Sequence, residues 1–247
     1  MSSVHISLSA EKLTTIAGIF PVTNSLLSTW IVMGAIILMA IRATRKLALV
    51  PGNLQSVLEI LVGGFYGLFE TVLHDQIGRF FPLLGTLFLF IITMNWFGLL
   101  PGVGTVGIYE LEEGHKTFIP LFRSGSADLN TTLALALIVV VFIQYSGVKS
   151  LGISYFKRFI NISNPIYFFV GILDIISEFA KILSFSFRLF GNIFAGEVLL
   201  TVIAFLMPFV APLPFLGLEL FVGFIQALVF SMLTAVFLSV ATAKSEH

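Results

Sequence analysis

The chain has 247 residues, 57% of them apolar and 11% charged, and its mean hydropathy is +1.05. Soluble domains carry about 25% charged residues, and 13 basic and 13 acidic side chains cannot cover the surface of a chain that also holds 27 Phe; the bilayer is the solvent that suits this composition. Formal net charge is zero with no basic block, which excludes nucleic acid as a partner, and the lack of cysteine excludes disulfides, thiolate metal sites and a cysteine nucleophile.

The opening residues, MSSVHISLSAEKLTTIAGIF, lack the basic start, compact apolar core and small-residue cleavage site of a secretory signal. The chain is therefore expected to insert through its own spans, as a single membrane domain over residues 1–247. The first span is predicted over residues 26–43, an uncharged run closed by Arg42, Arg45 and Lys46. Residues 53–75 differ. Leu54, Val57, Leu58, Leu61, Phe65, Leu68, Phe69 and Val72 recur at helical spacing, but Glu59 and Glu70 interrupt them and Gly63 and Gly64 sit in the middle. That pattern predicts an amphipathic helix lying at the membrane interface.

Further spans are predicted at 83–100, between Pro82 and Pro101, and at 129–148. Basic residues follow the first span and again the third (Lys149, Lys157, Arg158), whereas the segment from Gly102 to Asp128 leans acidic, with Glu110, Glu112, Glu113 and Asp128 against Lys116 and Arg123. Positive-inside counting places the N-terminus outside and the C-terminus in the cytoplasm.

Two long helices close the chain, at 166–200 and 215–243, separated by Pro208, Pro212 and Pro214. The first would be about 52 Å long against a hydrocarbon core near 30 Å, so both are expected to lie steeply inclined and to form a hairpin. The fold class is thus all-α integral membrane protein, with about five membrane helices plus the interfacial one.

The 166–200 helix carries Asp174, Glu178, Lys181, Arg188 and Glu197, and ionisable residues inside a membrane are functional candidates by default. At 100° per residue, Asp174, Ser177, Lys181, Ser184, Arg188 and Asn192 share one face, Glu178 lies within reach of Lys181, and Glu197 falls on the back. In the last helix Glu219 and Gln226 share a face with Gly223 between them. An arginine stays charged in poor solvent, whereas a desolvated carboxylate exchanges protons near neutral pH. One fixed cation flanked by titratable carboxylates suits proton movement along two separate wet paths.

The run Leu183-Ser184-Phe185-Ser186-Phe187-Arg188-Leu189-Phe190-Gly191-Asn192-Ile193-Phe194-Ala195-Gly196-Glu197 resembles the signature of subunit a of F-type ATP synthases. The resemblance extends to Ser126-Ala127-Asp128-Leu129-Asn130-Thr131-Thr132, to Met94-Asn95-Trp96 with Leu99-Leu100-Pro101, and to Gln226-Ala227. It implies a proton-translocating stator subunit without catalytic activity of its own. Arg188 would face a rotating ring of c subunits. Protons would enter from outside past Asn192, Glu197, Glu219 and Gln226, and leave near Asp174, Ser177, Glu178 and Ser184. Expected partners are the c ring, peripheral-stalk b subunits, the remaining synthase subunits and the lipid bilayer, in a bacterial plasma membrane. No cofactor is expected; the transported ion is the proton, with sodium left open. Some members of that family have a histidine at one inlet position, where this chain has Glu197 and Glu219.

A self-contained secondary transporter or channel is the rival reading, and it would need a carboxylate of its own near Arg188. An intramembrane hydrolase fits poorly, because His5, His74, His115 and His247 all fall outside the five predicted spans. A purely structural scaffold leaves the charges of the fourth membrane helix without a purpose.

Overall fold

The computed structural model describes residues 9–16, 20–45, 52–112, 115–152, 155–156, 159, 165–207 and 210–243. The expectations resting on Lys46, Glu113, Lys157, Arg158 and Pro208 fall outside them. A short β-hairpin comes first, β1 (Lys12–Ile16) and β2 (Phe20–Thr23), and leads directly into α1 (Asn24–Thr44). α2 (Asn53–Leu73) passes through a single 3-10 turn, His74–Gln76, into α3 (Ile77–Phe97). A second hairpin, β3 (Gly107–Glu112) and β4 (His115–Pro120), precedes the 3-10 turn Gly125–Ala127. Then follow α4 (Leu129–Leu151), α5 (Pro165–Leu206) and α6 (Pro212–Thr242). Among the described residues, five helical stretches are long and apolar enough to cross a membrane, with α2 and α3 together forming one of them. The chain is an all-α membrane protein with two small hairpin appendages.

Local chemistry sets the ends. Thr23 Oγ1 caps α1 by accepting from Leu26 N–H (3.3 Å) and Asp128 Oδ1 caps α4 by accepting from Asn130 N–H (3.0 Å). Arg42 and Lys149 stand in the last turns of α1 and α4, where the helix dipole favours cations. α2 stops at His74, whose φ of 46° is the one positive value at a non-glycine among the described residues. α6 begins at Pro212, where a missing N–H costs nothing.

Several boundaries differ from the sequence reading. α3 begins at Ile77 and carries Pro82 inside it, so the proline forfeits one hydrogen bond without ending the helix. α5 continues through Leu206, which gives 42 residues or about 63 Å of helix. The hairpins were not anticipated. Their strands are rich in β-branched and aromatic residues, but they are only 4 to 6 residues long.

The core lies where α3 meets α6 and where α4 meets α5. Phe69, Phe80, Leu84, Phe88, Ile91, Leu189, Phe230 and Leu238 are fully or almost fully buried. Phe185 of α5 packs edge-on against Phe230 and Phe237 of α6 (centroids 4.8 and 5.8 Å), while Gly196 of α5 meets Glu219. The contacts therefore run in opposite order along the two helices. The outward faces are apolar too: Ile37, Ile60, Val141, Ile166, Phe169 and Phe179 are all exposed. Such a surface is costly in water and natural against hydrocarbon.

Candidate functional site

Arg188 stands on the outer side of α5. Its inward neighbours Leu189, Phe190 and Ile193 are buried, whereas Arg188 itself, Ser177, Ser184 and Asn192 are exposed; Asp174 and Lys181, on the same stripe, are half-buried. Nη2 of Arg188 donates to Ser184 Oγ (3.0 Å), one turn back. Among the described residues Arg188 makes no ion pair. It is a permanent cation on a helix that also exposes Phe187 and Leu183, both by more than half, on the preceding stretch.

About 14 Å further along the axis, Glu197 opens onto a cavity of about 210 Å³. The cavity is lined by Asn95, Arg123, Ser124, Glu197, Thr201 and Glu219, together with apolar residues. Glu197 accepts from Arg123 Nε, which lies 3.2 Å from each carboxylate oxygen. Arg123 is buried and held on every side. Its backbone N–H donates to Ser28 Oγ (3.1 Å), its Nη1 donates to the carbonyl of Ser9 (3.2 Å), and its guanidinium carbon sits 5.7 Å from the centre of the Phe194 ring.

Glu219 reaches the same cavity from α6 and is only 6% exposed. Its carboxylate lies against the backbone of Gly196, where a Cβ would collide with it. The glycine beside Glu197 is thus the seat of Glu219. Asn95 Nδ2 donates to the carbonyl of Gly223 (2.8 Å) and Trp96 Nε1 to that of Leu220 (3.0 Å), which clamps α3 to the turn of α6 bearing Glu219. A Cβ at residue 223 would approach Asn95 Cβ to 3.1 Å, so the glycine permits this approach. Asn95 Oδ1 is buried with no protein partner among the described residues. A buried amide oxygen of this kind calls for water, and the cavity has room for it.

The Ser126 to Thr132 run proves to be joinery. Asp128 Oδ2 accepts from Ser25 Oγ (2.8 Å) and so ties α1 to the start of α4; Thr132 and Ser186 hydroxyls, 3.2 Å apart, tie α4 to α5.

On the other side of Arg188, Glu178 is engaged at both oxygens. Lys181 Nζ donates to Oε1 (2.6 Å) and Gln144 Nε2 to Oε2 (2.7 Å); Tyr155 O–H in turn donates to Gln144 Oε1 (2.7 Å). Lys181 also lies over the Phe237 ring at 4.6 Å.

The structure thus brings Glu197 and Glu219 together at one cavity, and gathers Lys181, Gln144 and Tyr155 around Glu178. Asn192 and the half-buried Gln226 do not line the cavity. Sequence reasoning passed over Arg123, Gln144 and Tyr155. Arg123 counted only as a loop charge, and the available hint was its place just before the Ser126-Ala127-Asp128 run.

Comparison with known proteins identifies the family. The family model described as ATP synthase A chain matches residues 26–239. A relative from Gloeobacter violaceus, called ATP synthase subunit a, is 38% identical over 229 residues, covering 91% of this chain and 85% of its own length. One of the same name from Moorella thermoacetica is 33% identical over 222 residues, covering 90% of this chain and 92% of its own. The match over most of its length, together with five membrane-capable helical stretches among the described residues, shows that the chain belongs to the ATP synthase A chain family.

Proposed function

We propose that this chain is the stator subunit that carries protons past a rotating ring of c subunits in an F-type ATP synthase. It provides two half-channels, while ATP chemistry takes place on other subunits of the complex. The observation that carries the reading is the exposure of Arg188. A fixed cation held out on an apolar face, steadied among the described residues only by Ser184, needs a carboxylate from another chain. That partner must pass by, because a lasting ion pair would stop rotation.

Protons enter through the cavity of Glu197 and Glu219, with Asn192 and Gln226 further along, and leave by Asp174, Ser177, Glu178 and Ser184. Arg188 stands between the two paths. It draws each arriving carboxylate into its ionised form, and its charge blocks direct leakage. The long α5 and α6 lie inclined in the membrane as a hairpin against the ring, and α2 lies at the interface. The N-terminus faces outside and the C-terminus the cytoplasm of a bacterial plasma membrane, where the peripheral-stalk b subunits hold the chain still.

The test is proton flux and ATP synthesis in vesicles holding the assembled complex. Arg188→Ala should abolish both ATP-driven pumping and ATP synthesis while leaving assembly intact. Synthesis at the wild-type rate by an assembled Arg188→Ala complex would remove the ring-facing role.

A further inference from the structure

α5 carries two basic residues, Lys181 and Arg188, and the fold handles them differently. Their separation in sequence puts them about 10.5 Å apart along the axis and nearly on one face. Arg188 is exposed, and its Nη2 donates to a neutral hydroxyl, Ser184 Oγ. Lys181 keeps only 17% of its side chain exposed, and its charge is answered inside the chain. Its Nζ donates to Glu178 Oε1 (2.6 Å) and lies 4.6 Å from the centre of the Phe237 ring on α6. Glu178 is held in turn from α4, where Gln144 Nε2 donates to Oε2 (2.7 Å), and Tyr155 O–H fixes Gln144 by donating to its Oε1 (2.7 Å). An ion pair one turn apart on a solvated helix is weak and opens readily. This pair is mostly buried, and each partner is fastened from a second element of the fold.

Resting on the stator reading above and narrowing it at one residue, we propose that Glu178 is a positioning residue, a counter-ion that turns Lys181 inward and cancels its charge, so that Arg188 is the one cation on α5 that a passing c-ring carboxylate meets. On an inclined α5 the distance between the two basic residues runs largely along the path of the ring. A bare ammonium at Lys181 would therefore be a second stopping point beside the first. Opposite charges that meet in a poorly solvated contact attract far more strongly than in water, and a carboxylate caught there would not be handed on to Arg188. Glu178 prevents this by giving Lys181 a partner within its own helix. Gln144 and Tyr155 keep that partner from swinging outward with its lysine, and Phe237 receives the ammonium on the α6 side. Both oxygens of Glu178 accept from donors of this chain, which is the posture of a counter-ion. The part of Glu178 in the outlet is then to hold Lys181.

The experiment uses assembled complexes in vesicles and reads ATP synthesis and proton flux. Glu178→Ala exposes the ammonium and is expected to slow both about ten-fold, equivalent to about 1.4 kcal/mol on the barrier. Residues that act through one another are non-additive, so Glu178→Ala combined with Lys181→Met is expected to recover to within about two-fold of the wild type. A merely structural role for Glu178, or a role as a proton carrier, would leave the double variant as slow as the single one, and that result overturns the proposal. Full activity of Glu178→Ala alone overturns it too. If Glu178→Ala does not assemble, Glu178→Gln keeps the shape and an acceptor for Nζ but leaves the lysine charge uncancelled, and the same comparison with and without Lys181→Met decides. Arg188→Ala is measured alongside. Synthesis there at the wild-type rate would overturn the stator reading, whereas loss of synthesis there with no recovery in the double variant would overturn only the role of Glu178.

Discussion

Arg123 and Arg188 are the same residue in the same membrane protein, and the fold treats them in opposite ways. Arg123 is buried, with its backbone, its Nη1 and its Nε all engaged, the last by Glu197. Arg188 is exposed on an apolar face and has a serine hydroxyl for company. The first is complete within the chain. On the function proposed above, the second is completed by another chain. A charge placed at mid-membrane costs about 3 kcal/mol on insertion scales, which is why the function proposed above gives Arg188 a transient partner. On that proposal, one fixed cation lines a path and the other acts on what moves past it.

Arg188→Lys breaks the comparison at its strongest point and should have the largest effect. Lysine keeps a charge but loses the broad fork, and it can give up its proton when desolvated. ATP synthesis by the assembled complex should fall to background even though the substitution is conservative. Stability should hardly change, because the present residue makes a single hydrogen bond to Ser184. A thermal shift of the purified complex, measured beside ATP synthesis, checks both halves.

Much of this contrast was legible in the sequence. A charged residue inside an apolar helix announces itself, and helical spacing alone placed Ser184 and Asn192 on the face of Arg188. Glu197 and Glu219 were also visible as intramembrane carboxylates, and Glu178 with Lys181 as a pair one turn apart. The partners that come from distant segments were not legible. Nothing in the spacing of Arg123 links it to Glu197, because a 3-10 turn, all of α4 and most of α5 intervene. Gln144 reaches Glu178 from α4, and Tyr155 reaches Gln144 from the segment after it, the first again across tertiary distance. Helix ends went astray for a related reason. Pro82 marks a boundary by local rule, yet α3 packs firmly enough to run through it.

Gly196→Ala comes next in size, and it sharpens the Arg123 side of the comparison. The substitution adds one methyl group where the Glu219 carboxylate now rests. That carboxylate is buried and must move away from the helix that carries Glu197. In a free helix Gly→Ala would add about 1 kcal/mol of stability; here the gain should be offset by displacement of Glu219. Proton flux should fall about ten-fold or more, equivalent to at least about 1.4 kcal/mol on the barrier, with assembly retained. Undiminished flux would mean that the close seating of Glu219 on residue 196 is unimportant to the path.

The smallest and most discriminating effects belong to the two carboxylates taken singly. Glu197→Gln removes the anion from Arg123 but leaves an amide oxygen that still accepts from Nε. A hydrogen bond to a charged group contributes about 1.5–3 kcal/mol, and part of it survives in the amide, so a modest loss of thermal stability is expected. Glu219→Gln has no ion pair to lose among the described residues and should leave stability near the wild-type value. Both variants should slow proton flux without preventing assembly, since each removes one proton-exchanging group from the same cavity. The double variant should be slower than either, because with one carboxylate left a proton still has a place to rest on its way inward, and with none it has only water. Equal stability of the two single variants would show that Arg123 does not depend on Glu197. Normal flux through the double variant would take both residues off the path.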